Sequence, residues 1–314
     1  EPVGEPRILD RLLAQDLVEA GHRLDGGHPG GGEHPGRVPR HRPGARGGRG
    51  LGLGDPPGGG RGPGPARRPA LRRPAAPAAE PSAESRLQQA ISLSERRAYD
   101  ESLAILQPLL PVVEKENDDA LHARVLFFTA RAHYFKSDYR TALPLLERAL
   151  EESRAARDRP FEATILRAIG RLHKQQGTYA EGLRSLDEAI ALYAKLGDAR
   201  EEAGAWMTVG AIQDLTGNFE QALTAYERAR AGLQAVKDAE YYTLFNEIGV
   251  TYTNLGRYEE ALASHLTSLE GRLKLGDKYY VGLSHSKLGD VYFALGQYER
   301  AIEHYEQCVN LCGS

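Results

Sequence analysis

Cysteine is nearly absent, with only Cys308 and Cys312 in 314 residues. That scarcity excludes a disulfide-stapled secreted fold and fits a reducing compartment. Their i, i+4 spacing sets both on one helix face. A zinc site needs four ligands, and no CxxC or nearby His pair supplies the others, so the pair reads as small packing residues and no metal is expected. No stretch approaches the ~20 apolar residues of a membrane span. Residues 1–25, EPVGEPRILDRLLAQDLVEAGHRLD, lack a basic region followed by an unbroken apolar run and are no signal peptide. The expectation is a cytoplasmic protein. A net charge of −3 gives the whole chain no drive toward nucleic acid or an anionic membrane, and neither is an expected partner.

Catalytic signatures are missing as well. The chain contains no GxxxxGK[ST], no HExxH, no GxSxG and no cysteine with a histidine base. Strings like GxGxxG near residue 50 sit in Gly/Pro-rich sequence with no preceding strand and carry no meaning. His265 and His285 stand at packing positions, and the pair Glu259–Glu260 reads as a solvated helix face. No enzyme activity, catalytic residue or cofactor is expected.

What the chain does contain falls into segments of opposite texture. From residue 7 to 24, Ile8, Leu9, Leu12, Leu13, Leu17, Val18 and Leu24 recur at helical spacing, which predicts a short amphipathic helix within 1–25. Residues 26–82 hold about half the glycines, most of the prolines and ten arginines against Glu33, Asp55 and Glu80. So little apolar surface cannot offset the entropy of ordering the backbone, and this segment is expected to be a disordered linker. An RGG-like arm for RNA or another polyanion, at 37–73, is the functional alternative, although no aromatic is present to stack on bases. His22, His28, His34 and His41 offer at most loose metal binding.

From 83 onward prolines thin out and apolar residues fall at i, i+3, i+4, i+7, the pattern of continuous helix–turn–helix. Seven letters keep returning: QGTYAEG at 176–182, TGNFEQA at 216–222, LGRYEEA at 255–261 and LGQYERA at 295–301. Ser137, Gly177, Gly217, Gly256 and Gly296 are each followed two places on by Tyr139, Tyr179, Phe219, Tyr258 and Tyr298. Three residues later stand Ala142, Gly182, Ala222, Ala261 and Ala301. A second series, Asp118, Asp158, Asp198, Asp238 and Asp277, keeps the same period of about forty residues out of phase with the first. Arg97, Tyr99 and Ser102 add one degraded unit. Each Asp is expected to cap a helix start, each Gly to end a helix left-handed, and each small residue to let two helices cross closely. Helix pairs of this kind must stack to bury their remaining apolar face.

These units resemble the tetratricopeptide repeat (TPR) family. Its spacing of large, apolar, small and aromatic residues is matched by Trp206, Val209 and Gly210, by Phe245, Ile248, Gly249 and Tyr252, and by Leu288, Gly289 and Tyr292. Second helices continue it with Ala222, Tyr226 and Ala229 and with Ala301 and Tyr305. The resemblance implies an all-α, right-handed TPR α-solenoid of about six repeats at 83–117, 118–157, 158–197, 198–237, 238–276 and 277–314. The units exceed the family's usual length of about 34 residues, and KLGD replaces the consensus proline. Lengthened repeats of this kind resemble bacterial TPR signalling proteins and LGN-type adaptors. The array reaches Ser314 without a polar capping helix, which suggests a fragment of a longer chain.

In that family the first helix of each pair lines a concave groove. Carried over, the second and third repeats present Arg124, Arg131, Arg167, Arg171 and Lys174, with His133 and His173 nearby. The fourth presents Met207, Ala211 and Asp214. The fifth and sixth present Asn246, Thr253, Asn254, Ser286, Asp290 and Phe293. A cationic cluster in a region acidic by about seven charges points to an acidic peptide or a C-terminal carboxylate, with Asn246 bonding the peptide backbone. The competing reading is that these arginines pair with neighbouring glutamates and cover apolar surface. The carboxylate-clamp pattern of paired asparagines is missing, so binding of chaperone tails is not expected. The chain is thus read as a non-catalytic scaffold for a protein or peptide ligand, peptide-binding through Arg124, Arg131, Arg167, Arg171, Lys174, Asn246, Asn254 and Asp290. The alternative is the sensory arm of a larger signalling enzyme, such as a diguanylate cyclase or kinase.

Overall fold

Aspartate at the head of a helix accepts the orphan N–H groups of its first turn and suits the positive end of the helix dipole. In the computed structural model, which describes residues 81–235 and 237–312, the five period-forty aspartates do this. Asp118, Asp158, Asp198, Asp238 and Asp277 each accept a backbone N–H two or three residues on. They open α3 (Asp119–Phe135), α5 (Arg159–Gln176), α7 (Ala199–Leu215), α9 (Ala239–Asn254) and α11 (Lys278–Ala294). The aromatic markers open the partner helices: α2 (Tyr99–Glu116), α4 (Tyr139–Ala155), α6 (Tyr179–Leu196), α8 (Phe219–Leu233), α10 (Tyr258–Leu275) and α12 (Tyr298–Cys312). With α1 (Ala83–Glu95) there are twelve helices, in six antiparallel pairs, and no strand among the described residues. The all-α solenoid expected from the repeats is what folds. The helix expected at 7–24 and the Gly/Pro/Arg-rich segment lie outside the described residues, apart from Pro81 and Ser82.

Turns between the helices of a pair need one left-handed residue. Gly177 supplies it at φ 77°, and in the preceding pair Ser137 adopts the same conformation at φ 61° despite its Cβ. Within each pair the odd-numbered helix, called A here, carries a small residue against a bulky one on the even-numbered helix, B. A Cβ on Gly210 would lie 2.4 Å from the Tyr226 ring, so only glycine lets that ring lie against the backbone. The small residues of the B helices, Ala142, Gly182, Ala222, Ala261 and Ala301, are all buried as expected.

Cores are shared between pairs. One joins Leu126 and Ala130 of α3, Leu146 and Ala149 of α4, and Ile165, Ile169 and Leu172 of α5. The next joins Leu166 of α5, Leu186 and Tyr193 of α6, and Val209 and Ile212 of α7. No pair can leave the stack without exposing half of a neighbour's core. Ion pairs bridge further seams of the stack, including Arg148–Glu114 at 2.6 Å and Arg200–Asp238 at 2.5 Å.

Consecutive A helices touch directly: α1 meets α3, α5 meets α7, α7 meets α9, and α9 meets α11. The A helices therefore form the inner, concave layer of the stack. The approach of α3 to α5 is looser, where Phe127 of one meets Phe161 of the other edge-on at 5.2 Å. Large rings there hold the two backbones apart.

Candidate functional site

The loose seam between α3 and α5 opens into a hollow of about 400 Å³. Phe127, Phe128, Tyr134, Phe135 and Phe161 make it aromatic, and Arg131, Arg167 and Arg171 stand on its rim. The sequence VLFFTARAHYF crowds these rings into three turns of α3, so they occupy both the buried stripe and the groove face. Guanidinium groups sit over them. Arg124 lies 4.9 Å above Phe161, Arg131 lies 5.8 Å from both Phe128 and Phe135, and Arg171 lies 5.9 Å from Tyr134. Such contacts hold each cation beside an apolar surface without neutralising it.

A second hollow, of about 420 Å³, adjoins the first and shares Arg167 and Arg171 with it. Its floor is α7, where Gly204, Met207, Thr208 and Ala211 keep the surface low. Lys174 of α5 lines one side, and Glu240, Thr243 and Glu247 of α9 line the other. Burial lowers the pKa of Lys174 from its ordinary value, against an opposing pull from Glu247. Burial likewise raises that of Glu247, while Lys174 draws it down and Asp214 pushes it up.

The eight residues expected to meet a ligand divide. Arg124 is tied to Asp158 at 2.7 Å and Arg167 to Glu201 at 2.5 Å, so both brace successive A helices. To that extent the competing reading, arginines paired across the stack, describes them. Arg131 and Arg171 have no carboxylate within 4 Å among the described residues and remain available. Lys174 joins them at the second hollow. Asn254 is exposed and donates to both Asp214 carboxylate oxygens at 3.3 and 3.4 Å. Asp290 is held by Lys287 at 3.2 Å and by the Tyr305 hydroxyl, which donates at 3.0 Å.

Asn246 is not on the groove. Only 7% exposed, it bonds the His265 ring at 3.0 Å and donates to the Ser284 hydroxyl at 3.4 Å. Counted from the crossing glycines Gly210 and Gly249, Asn246 stands at the position of Met207, yet its amide turns onto His265 of α10 and Ser284 of α11 and is covered. Its neighbour Glu247, at the position of Thr208, lines the second hollow. The expected Asn-rich half of the groove is therefore acidic at its centre. Among the described residues no three His, Cys, Asp or Glu side chains are placed to hold a metal ion, and no helix is long and apolar enough to cross a membrane.

Residues 161–235 and 240–313, each two helix pairs long, match the family model described as Tetratricopeptide repeat. No curated protein sequence matches the chain. Among solved structures, BtubC (BKLC) from P. vanneervenii is similar at a TM-score of 0.58 and 18% identity, covering 74% of this chain and 91% of that one. A Rap protein solved in complex with competence and sporulation factor gives 0.57 at 14% identity, over 74% and 76%. A STAND protein with a tetratricopeptide repeat sensor, from Pyrococcus horikoshii, gives 0.60 at 18% identity, over 73% of this chain and 35% of that one. At these identities the likeness is one of fold. With the family match lying on the helix pairs of α5 to α12 described above, residues 161–235 and 240–313 carry tetratricopeptide repeats.

Proposed function

We propose that the chain is a non-catalytic interaction scaffold that receives a segment of a protein partner along the concave face of its A helices. The observation that supports this most is the aromatic hollow between α3 and α5, with Arg131 and Arg171 uncompensated at its rim. Aromatic and arginine side chains around a concavity are the usual anchors of a protein interface. A bulky apolar side chain of the ligand fits the rings, and an adjacent carboxylate fits the guanidinium groups. The Rap protein of the same fold, solved with a bound factor, accords with this reading.

The test is titration of the full chain with a pool of acidic peptides carrying Phe, Trp or Leu, followed by calorimetry. Saturable binding is expected in the native protein. The double variant Arg131→Glu/Arg171→Glu is expected to lose at least about 30-fold in affinity, or ~2 kcal/mol of charge-assisted hydrogen bonding. Equal affinity in the two proteins removes the groove from the reading.

A second reading makes the array the sensory part of a larger signalling protein. The Pyrococcus structure, whose repeats are a sensor within a longer chain, favours it. A gene product in which a nucleotide-binding output domain adjoins these repeats would support that role. A gene that encodes the repeats alone would remove it.

A further inference from the structure

The hollow over α7 holds two opposite charges, Lys174 and Glu247, that feel each other's field but meet in no direct ion pair. Of its other charged residues only Arg171 has no carboxylate within 4 Å among the described residues. Arg167 meets Glu201, Glu240 meets Arg200 at 3.4 Å, and Asp277 lies 3.8 Å from Arg272. Lys174 on the α5 side and Glu247 on the α9 side have no ion pair within 4 Å and no side-chain hydrogen bond among the described residues, although both are half-buried. Exposed charges in this fold find partners readily, as Lys274 does with Glu270 and Arg184 with Glu181. At the inner edge, Arg272 is only 1% exposed and stacked 4.2 Å from Tyr280, and its Nε–H has no partner. Desolvated, incompletely paired charge is costly in a free protein and is offset when a ligand completes it.

We infer that this hollow is a bipolar subsite: a carboxylate of the bound peptide lies on Arg171 and Lys174, while a lysine or arginine of the same peptide lies on Glu247. The inference rests on the groove reading above and narrows the ligand from acidic to mixed in charge. A purely acidic segment crossing α7 would bring carboxylates against Glu247 and the neighbouring Asp214, whose own partner is the neutral Asn254. Like charges in a partly dry groove reject a ligand as effectively as complementary ones select it. Met207 and Ala211 between the poles offer a low floor over which an extended backbone can run.

Four pools of twelve-residue peptides, each containing one aromatic residue, test the assignment. One pool mixes Glu with Lys, one is acidic only, one basic only and one uncharged, and binding to the full chain is read by fluorescence anisotropy. The mixed pool is expected to bind about tenfold more tightly than the acidic pool, the scale of one partly desolvated ion pair. Glu247→Gln is expected to bring the mixed and acidic pools within about twofold and Glu247→Lys to reverse their order, while Lys174→Met is expected to narrow the preference for the mixed over the basic pool. If the preference for mixed over acidic charge is absent, or survives Glu247→Gln, while Arg131→Glu/Arg171→Glu still abolishes binding, the bipolar subsite is wrong and the groove stands. If no pool binds the native chain, both fall.

Discussion

Gly210 and Gly249 stand at one register of the A helices, and each faces a ring from the B helix of its own pair. An added Cβ would come within 2.4 Å of Tyr226 or 2.5 Å of His265, whose ring also bonds Asn246. Gly249→Ala is expected to destabilise the protein by about 1–3 kcal/mol, the ordinary cost of overpacking a filled core, as measured by urea unfolding with the slope unchanged. At the turns the opposite change is favourable. Ser137→Gly removes a Cβ from a left-handed residue and is expected to raise stability by up to ~1 kcal/mol. Residues with one fixed backbone task were the most legible in the sequence. The aspartate caps, the left-handed glycines and the small crossing residues all serve as expected, because local geometry alone dictates them. Side chains of the groove were less legible: Asn246 stands at the register of Met207, and only its bonds to His265 and Ser284 take it out of the hollow that Glu247 lines.

The elements divide their tasks by layer. A helices supply the concave face, and B helices set the spacing through their small residues and shared cores. Not all pairs are built alike. In α3 to α7 the shared cores are largely aliphatic, whereas in α9 to α12 a linked buried polar network stands beside the apolar core. Asn246, His265, Ser268 and Ser284 are linked by hydrogen bonds, and the His285 and His304 rings bond each other at 2.9 Å. Only His265 and His285 of this network were legible as packing residues; Asn246, Ser268, Ser284 and His304 resemble surface letters in a sequence. Burial holds the His265 pKa down to about 3, with Lys287 adding to the effect and Asp290 opposing it. His285 and His304 are held at about 4, chiefly by burial, with Arg300 adding to it at His304. These imidazoles must be neutral in the fold, yet they accept protons near pH 6.5 when unfolded. Their contribution is thus complete above pH ~6.5 and is lost as pH falls toward 4, reaching about 3 kcal/mol at His265 alone. Amide exchange followed from pH 7 to 4.5 is expected to lose protection first in α9–α12, and His265→Gln is expected to flatten that loss. Uniform loss along all six pairs would speak against the network as its source.

Across the whole array, each pair leans only on its neighbours, so damage should remain near where it is made. Leu186 is fully buried in the core shared by α5, α6 and α7. Leu186→Ala is expected to cost about 2–5 kcal/mol and to strip exchange protection from those three helices while leaving α11 and α12 close to native. A single global collapse would show tighter coupling than the shared cores imply. The stacked architecture was legible because its period is written in two independent series. The aromatic hollow was not, because it arises where rings of α3 and α5 keep two helices from closing, and no single repeat encodes that gap. On the proposed reading, the ligand is received at this departure from regularity. Amide chemical-shift mapping of the full chain with a retained aromatic, charged peptide tests that claim most directly. The predicted perturbations centre on residues 127–135 and 161–174 and extend across 204–211 of α7. Shifts confined to the outer B helices, with those segments silent, would contradict it.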